Sequence, residues 1–146
     1  MATHPYETLA EWSEWVPLAA CLSQAPRLPG VYVIRLDVSP VYAGYAAERR
    51  GKGLRERLGV YISGKGAVSG FGEAAFDRAL ADPSWVMDRL RRAEADRPDR
   101  AKAWAAAAVS RLPFEVCWTT TVDGAAAKAL ERQVIIALRP GLWNRG

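Results

Sequence analysis

The sequence predicts an α/β (α+β) fold: a small, mostly antiparallel three-stranded sheet flanked by helices, with an inserted helical segment. Three observations predict it. The stretch GVYVIRLDVSPVYAGY, residues 30–45, holds two Val/Ile/Tyr-rich runs joined by a short turn, which reads as a hairpin. PFEVCWTTTV, residues 113–122, alternates Phe114, Val116 and Trp118 against Glu115, Cys117 and Thr119, which reads as a third strand. Most of the remainder repeats its apolar residues at helical spacing. At 146 residues, half of them hydrophobic, the chain fits one domain spanning 1–146.

The elements follow in order. Leu9, Trp12, Trp15, Val16 and Ala19 recur at helical spacing, so 7–21 reads as an amphipathic helix within an N-terminal extension, 1–24, with Pro17 bending or ending it. RLPG breaks the chain, and strands follow at 31–36 and 40–43, turning at Asp37, Ser39 and Pro40. After Gly51 and Gly53, the spacing of Leu54, Leu58, Tyr61 and Ile62 marks one buried helix face.

An insertion, 64–111, comes next. Glycines at 64, 66, 70 and 72 predict a mobile loop, and helices follow near 73–81, 84–95 and 98–111. Asp82-Pro83 and Asp96-Arg97-Pro98 start the last two; Ala101, Trp104, Ala105, Ala108 and Val109 form the apolar stripe of the third. The loop lacks the strand-then-helix setting and spacing of phosphate-binding glycine motifs, so no nucleotide cofactor is expected. After the third strand, Asp123-Gly124 opens a final helix whose buried stripe is Leu130, Val134, Ala137 and Leu138, with Glu131 at its edge; Pro140 and Gly141 end it.

Composition excludes several chemistries. The two cysteines, Cys21 and Cys117, are too few for a disulfide framework or a thiolate zinc site. The single histidine, His4, stands near the N-terminus, leaving no second member for a Ser-His-Asp triad, a Cys-His pair or a His-ligated metal. Acid-base work falls to carboxylates, tyrosines, lysines or a metal-bound water, and a hard cation such as Mg2+ suits that donor set. No apolar run approaches the ~20 residues of a membrane span. The opening MATHPYETLAEWSEW is acidic and aromatic where a secretory signal is basic and then apolar, so a cytoplasmic protein is expected.

Charge concentrates around the hairpin. Residues 25–66 hold eight bases against three acids, and ERRGKGLRER places Arg49, Arg50, Lys52, Arg55 and Arg57 together, a run that fits either a phosphate backbone or a solvated helix face.

The combination resembles a known family. GVY at 30–32 and YAG at 42–44 are similar to the two signature tripeptides of the GIY-YIG nucleases, at about that family's separation. LRERLGVY resembles the family's helix that offers an arginine, here Arg57, with Tyr61 where the family places a histidine or tyrosine. ALERQVIIALRPGLWNR resembles its closing segment, in which a helical glutamate is followed by a proline and an asparagine: Glu131, Pro140 and Asn144. There are two departures. Ala43 replaces the branched residue of the second tripeptide, and Tyr45 stands where many members have a lysine.

The resemblance implies a metal-dependent endonuclease acting on nucleic acid, DNA before RNA, and leaving a 5′-phosphate and a 3′-hydroxyl. Tyr32, Tyr42, Arg57 and Glu131 would be catalytic, with Glu131 holding Mg2+, for which Mn2+ would substitute. Gly44, Tyr45, Arg49, Arg50, Lys52, Arg55, Tyr61 and Asn144 would meet the substrate. Substrate selection would come from 64–111. Each residue type also has a plainer use: the tyrosines as strand aromatics, Arg57 as one of a solvated run, Glu131 as partner to Lys128 or Arg132, Asn144 as a turn cap, the six tryptophans as core. A catalytically weak or inactive nucleic-acid-binding module of the same fold is the rival, a protein-interaction domain the third reading. The oligomeric state stays open.

Overall fold

A computed structural model describes residues 4–48, 52–96 and 98–145. Its contacts fall into two compact units, Met1–Gly59 with Pro113–Gly146, and Val60–Leu112.

The first unit is built on a sheet of four strands in the order β1-β4-β2-β3: β1 (Val16–Pro17), β2 (Gly30–Leu36), β3 (Ser39–Ala46) and β4 (Glu115–Thr120), all antiparallel. β2 sits between two partners, and its Val31, Tyr32, Val33 and Ile34 are all buried. Helix α1 starts at Gly53 and runs to Ile62; helix α5 spans Gly124–Leu138 and packs on β2 and β3. The core on the α5 side joins Val31, Val33, Ala43, Cys117, Ala127 and Val134 with Tyr6 from the N-terminal segment. Asp123 caps α5, its carboxylate accepting from the Ala126 backbone N–H at 2.8 Å.

The N-terminal helix expected over 7–21 does not form, and the sheet gains a fourth strand instead. Short 3-10 helices cover Pro5–Thr8 and Leu18–Ser23, with β1 between them. The open edge of β4 explains the difference: the Ser13 N–H donates to the Trp118 carbonyl (2.8 Å), the Trp118 N–H to Ser13 Oγ (3.0 Å), and the Leu18 N–H to the Phe114 carbonyl (2.9 Å). Those bonds satisfy an exposed edge that a helix would leave bare. Pro17 fits an edge strand because it has no N–H to place. Trp12 and Trp15 still pack on the core, which is what their helical spacing had suggested.

The second unit holds α2 (Gly70–Leu80), α3 (Pro83–Ala95) and α4 (Ala101–Ser110). The glycine-rich loop is shorter than expected, since Gly70 and Gly72 belong to the first turn of α2. Gly72 has no room for a side chain: a β-carbon there would strike the Gly66 carbonyl, so the loop crosses the helix backbone directly. Phe76, Trp85 and Trp104 stack edge-on in sequence, at 6.4 and 5.6 Å between ring centroids, and tie the three helices together. Arg111 pairs with Asp82 at 2.9 Å, and Arg89 pairs with Asp99. Among the described residues, no helix is long and apolar enough to cross a membrane.

Candidate active site

The hairpin register decides which tyrosines can act together. Tyr32 lies opposite Gly44 on β3 and opposite Trp118 on β4, while Ile34 lies opposite Tyr42. Alternation along the strands then places Tyr32, Tyr42, Gly44 and Trp118 on one face of the sheet. The register shifts between Ile34 and Arg35, with Val41 as the extra residue, so the face shared by the two tyrosines depends on a bulge beside Tyr42. Their rings stack at 6.4 Å and 17°. Tyr32 is only 1 % exposed, whereas Tyr42 is half-buried.

Gly44 makes this arrangement possible. A β-carbon at that position would collide with the hydroxyl, Cζ and Cε1 of Tyr32, so the Tyr32 phenol occupies the space a side chain would need. Tyr45, one residue on, projects from the opposite face and packs on the α5-side core.

Helix α1 is anchored at its start. Gly53 has a positive φ of 44°, and a side chain there would meet the Leu28 backbone. The Leu54 and Arg55 N–H groups donate to the Leu28 and Pro26 carbonyls at 2.9 and 3.0 Å. Arg55 Nε donates to the Ala25 carbonyl at 2.7 Å, so its head group braces this junction. Leu54 and Leu58 are fully buried, which leaves Arg57 on the exposed side of the helix. Lys52 is exposed; Arg49 and Arg50 lie outside the described residues. Tyr61 belongs to the second unit, where it is buried edge-on against Phe71.

Glu131 lies on α5 at the edge of the buried stripe, as its position beside Leu130 suggested. Burial pushes its carboxyl above the usual carboxylate range, and Lys128, Arg132 and Arg57 oppose that rise. Arg57 is therefore close enough to act on Glu131 electrostatically, although 74 positions of chain separate them in sequence order from α1 to α5. Among the described residues, no ion pair within 4.0 Å takes up the Glu131 carboxylate, and no cluster of three or more His, Cys, Asp or Glu side chains forms a many-liganded metal cage. A half-desolvated carboxylate without a direct cation partner fits a divalent ion such as Mg2+, which keeps several waters and needs few protein ligands.

Asn144, in the C-terminal segment, clamps β3. Its Oδ1 accepts from the Ala43 N–H at 3.0 Å and its Nδ2 donates to the Ala43 carbonyl at 2.7 Å. The Trp143 N–H donates to the Val41 carbonyl. Together they continue the ladder on the outer edge of β3, beside Tyr42 and Gly44.

The structure thus joins Tyr32, Tyr42 and Gly44 on the sheet face opposite the α5-side core and clamps the same strand with Asn144, while Glu131 on α5 feels the charge of Arg57. It turns Tyr45 to the core and engages Arg55 with backbone. The sequence reading missed Glu48, whose Oε1 accepts from the Gly124 N–H at 3.3 Å and holds the end of β3 to the start of α5. A lone acid after a strand carries no pattern that would have revealed it.

No family model matches the chain, and no curated protein does. Among solved structures it is similar to the GIY-YIG N-terminal endonuclease domain of UvrC from Thermotoga maritima bound to its catalytic magnesium, at 20 % identity over 88 % of this chain and 96 % of that one, with a TM-score of 0.47. Two point mutants of that domain, each bound to its catalytic divalent cation, are similar over the same shares at 19 % and 18 % identity, with TM-scores of 0.47 and 0.45.

Proposed function

We propose that the chain is a metal-dependent endonuclease that hydrolyses phosphodiester bonds of nucleic acid, DNA before RNA, leaving a 5′-phosphate and a 3′-hydroxyl. The observation that carries this reading is the stacked pair of Tyr32 and Tyr42 packed over Gly44, together with the half-buried carboxylate of Glu131 on α5, on which the charge of Arg57 acts. An anion that has lost part of its hydration beside an exposed guanidinium is suited to a site that holds a cation and a phosphate at once.

Glu131 would hold the Mg2+ ion, or Mn2+ in its place. When bound, that ion supplies Lewis-acid compensation of phosphate charge and lowers the pKa of nearby water. The remaining steps belong to the chain. Arg57 presents its fork of donors to the scissile phosphate. Tyr42, the more open of the stacked tyrosines, orients the attacking water and takes its proton; Tyr32, held under Gly44, fixes the Tyr42 ring. A phenol with an ordinary pKa of ~10 needs adjacent positive charge to act as a base, and Arg57 is the chain's own candidate to supply it. Water attacks phosphorus, the bond to the 3′ oxygen breaks, that oxygen takes a proton from solvent water to leave as the 3′-hydroxyl, and the proton taken by Tyr42 returns to solvent. Asn144 steadies the strand that carries Tyr42 and Gly44. Lys52, with Arg49 and Arg50, follows the backbone away from the cut.

One observation favours a second reading, a binding module of the same fold with little or no turnover. Tyr45 stands where the family often has a lysine and faces the core, so that position supplies no cation to the substrate.

The Glu131→Gln substitution separates the two. It is nearly isosteric and removes the charge that holds a divalent ion. Cleavage of a panel of labelled strands, duplexes, flaps and junctions in Mg2+ should fall by orders of magnitude in the variant and stop in wild type on adding chelator, with binding retained. A variant that cleaves within a few-fold of wild type at saturating Mg2+ removes Glu131 from the site; a wild type that binds but never cleaves establishes the second reading.

A further inference from the structure

The proposed chemistry uses Glu131 and leaves the outward side of α5 unexplained. Lys128 and Arg132 stand there one turn apart on the flank next to Glu131, and both are exposed. A rise of ~1.5 Å per residue sets them ~6 Å apart along the axis. Neither has an acid four residues away; Lys128 has Glu131 three residues on, and Arg132 has no acid at three or four. The residue four before Arg132 is Lys128 itself, the residue four after it is Ile136, and the residue four before Lys128 is Gly124. The two side chains therefore repel each other.

No other acid on this element offsets them. Glu131 is the only Asp or Glu in α5. The acids at its start are committed to backbone N–H groups: Asp123 accepts from Ala126 at 2.8 Å, and Glu48 from Gly124 at 3.3 Å. The neighbours Ala125 and Ala129 are exposed and small. Arg132 directly follows Glu131 on α5 and Lys128 stands three residues before it, so the two cations flank that carboxylate on the helix.

We propose that Lys128 and Arg132 form a second phosphate-contact strip, on α5, that grips the nucleic-acid backbone beside the scissile position, separately from the basic run at 49–57. The proposal rests on the reading of the chain as a nucleic-acid enzyme or binder. Bound phosphates relieve the like-charge repulsion that the free helix carries, and they release counterions as they do so.

The test uses the full chain and its Lys128→Ala/Arg132→Ala double variant. Binding to a labelled duplex and to a labelled single strand is followed by anisotropy across a salt series, with chelator present to keep the probe intact. Alanine favours helix and removes the repulsion, so the variant should fold, and circular dichroism with a melting curve checks it. The expected result is a slope of log affinity against log salt shallower by about 1.8 on duplex, or about 1.4 on single strand, since each phosphate contact contributes about 0.9 or 0.7. Affinity at low salt should fall at least tenfold, and Arg132→Lys alone should keep the wild-type slope. A wild type that binds while the double variant keeps the same slope overturns the strip and leaves the nucleic-acid reading standing. A wild type that binds neither probe even at low salt overturns both.

Discussion

The hydroxyl of Tyr32 occupies the space above the Gly44 α-carbon where any other residue would carry its β-carbon. The two are cross-strand partners in a hairpin, so neither can move without disturbing the register that also aligns Tyr42.

Gly44→Ala should accordingly displace the Tyr32 ring and cost about 1–3 kcal/mol, the usual range for overpacking a filled site. Urea unfolding measures the loss. The double variant Gly44→Ala/Tyr32→Leu should recover part of it, because the collision is with the ring. If Gly44→Ala melts with wild type and the double variant gains nothing, the ring does not fill that space.

Glu131 gives a prediction with a definite sign. Burial raises its folded-state pKa, so the folded chain holds that proton more tightly than the unfolded chain does. The associated stability is present below the ordinary carboxylate pKa and is lost as pH rises through the folded-state value. Glu131→Gln never ionises, so in chelator it should melt above wild type near neutral pH, the gap closing as acid protonates the wild-type carboxyl. Adding Mg2+ should raise the wild-type melting temperature and leave the variant unmoved. Parallel melting profiles for the two proteins across pH would remove the burial effect.

Asn144→Ala removes two hydrogen bonds to Ala43 and should cost about 1–3 kcal/mol, at roughly 0.5–1.5 kcal/mol for each. Asn144→Asp is the sharper probe. The carboxylate can still accept from the Ala43 N–H but faces the Ala43 carbonyl without a donor, so it should be at least as damaging near neutral pH. Protonation restores the donor, so the deficit against wild type should shrink in acid. A deficit independent of pH would mean the clamp is not made by the side-chain amide.

The hairpin turn holds Asp37 and Val38 at φ of 49° and 63°. A two-residue turn of that hand suits glycine, and a β-branched residue in the left-handed region is strained. Val38 is 71 % exposed and contributes little packing in return. Val38→Gly should therefore stabilise the chain by about 0.5–1 kcal/mol after the extra entropy of glycine in the unfolded state. A lower urea midpoint for the variant would contradict the turn geometry.

Much of the architecture was legible because local chemistry and tertiary need agree. β2, α1, α3, β4 and α5 lie where periodicity, Gly-Pro punctuation and the Asp82 and Asp123 caps put them, whereas β3 already begins at Ser39, so that the turn is Asp37-Val38, and α4 begins only at Ala101 rather than at the Pro98 start. The N-terminal segment misled because Trp12 and Trp15 face the core from an extended path as well as from a helix, and only the unpaired edge of β4 decides between the two. The odd spacing of Tyr42 and Tyr45 implies opposite faces of one strand. That Tyr32 joins Tyr42 depends on a one-residue shift at Ile34 and Arg35, which no local pattern announces. Glu131 was readable as the edge of a stripe; its burial, the Asn144 clamp and the Glu48 tie are long-range facts that appear only once the chain is folded.

The clamp also makes the protein its own spectroscopic probe. The Ala43 amide proton is bonded to a side chain 101 residues away, in a segment outside any regular element. Its exchange with deuterium must follow the docking of the C-terminal segment as well as the opening of β3. Compared with the Val33 amide in the central strand, that one signal would distinguish undocking of residues 143 and 144 from unfolding of the sheet.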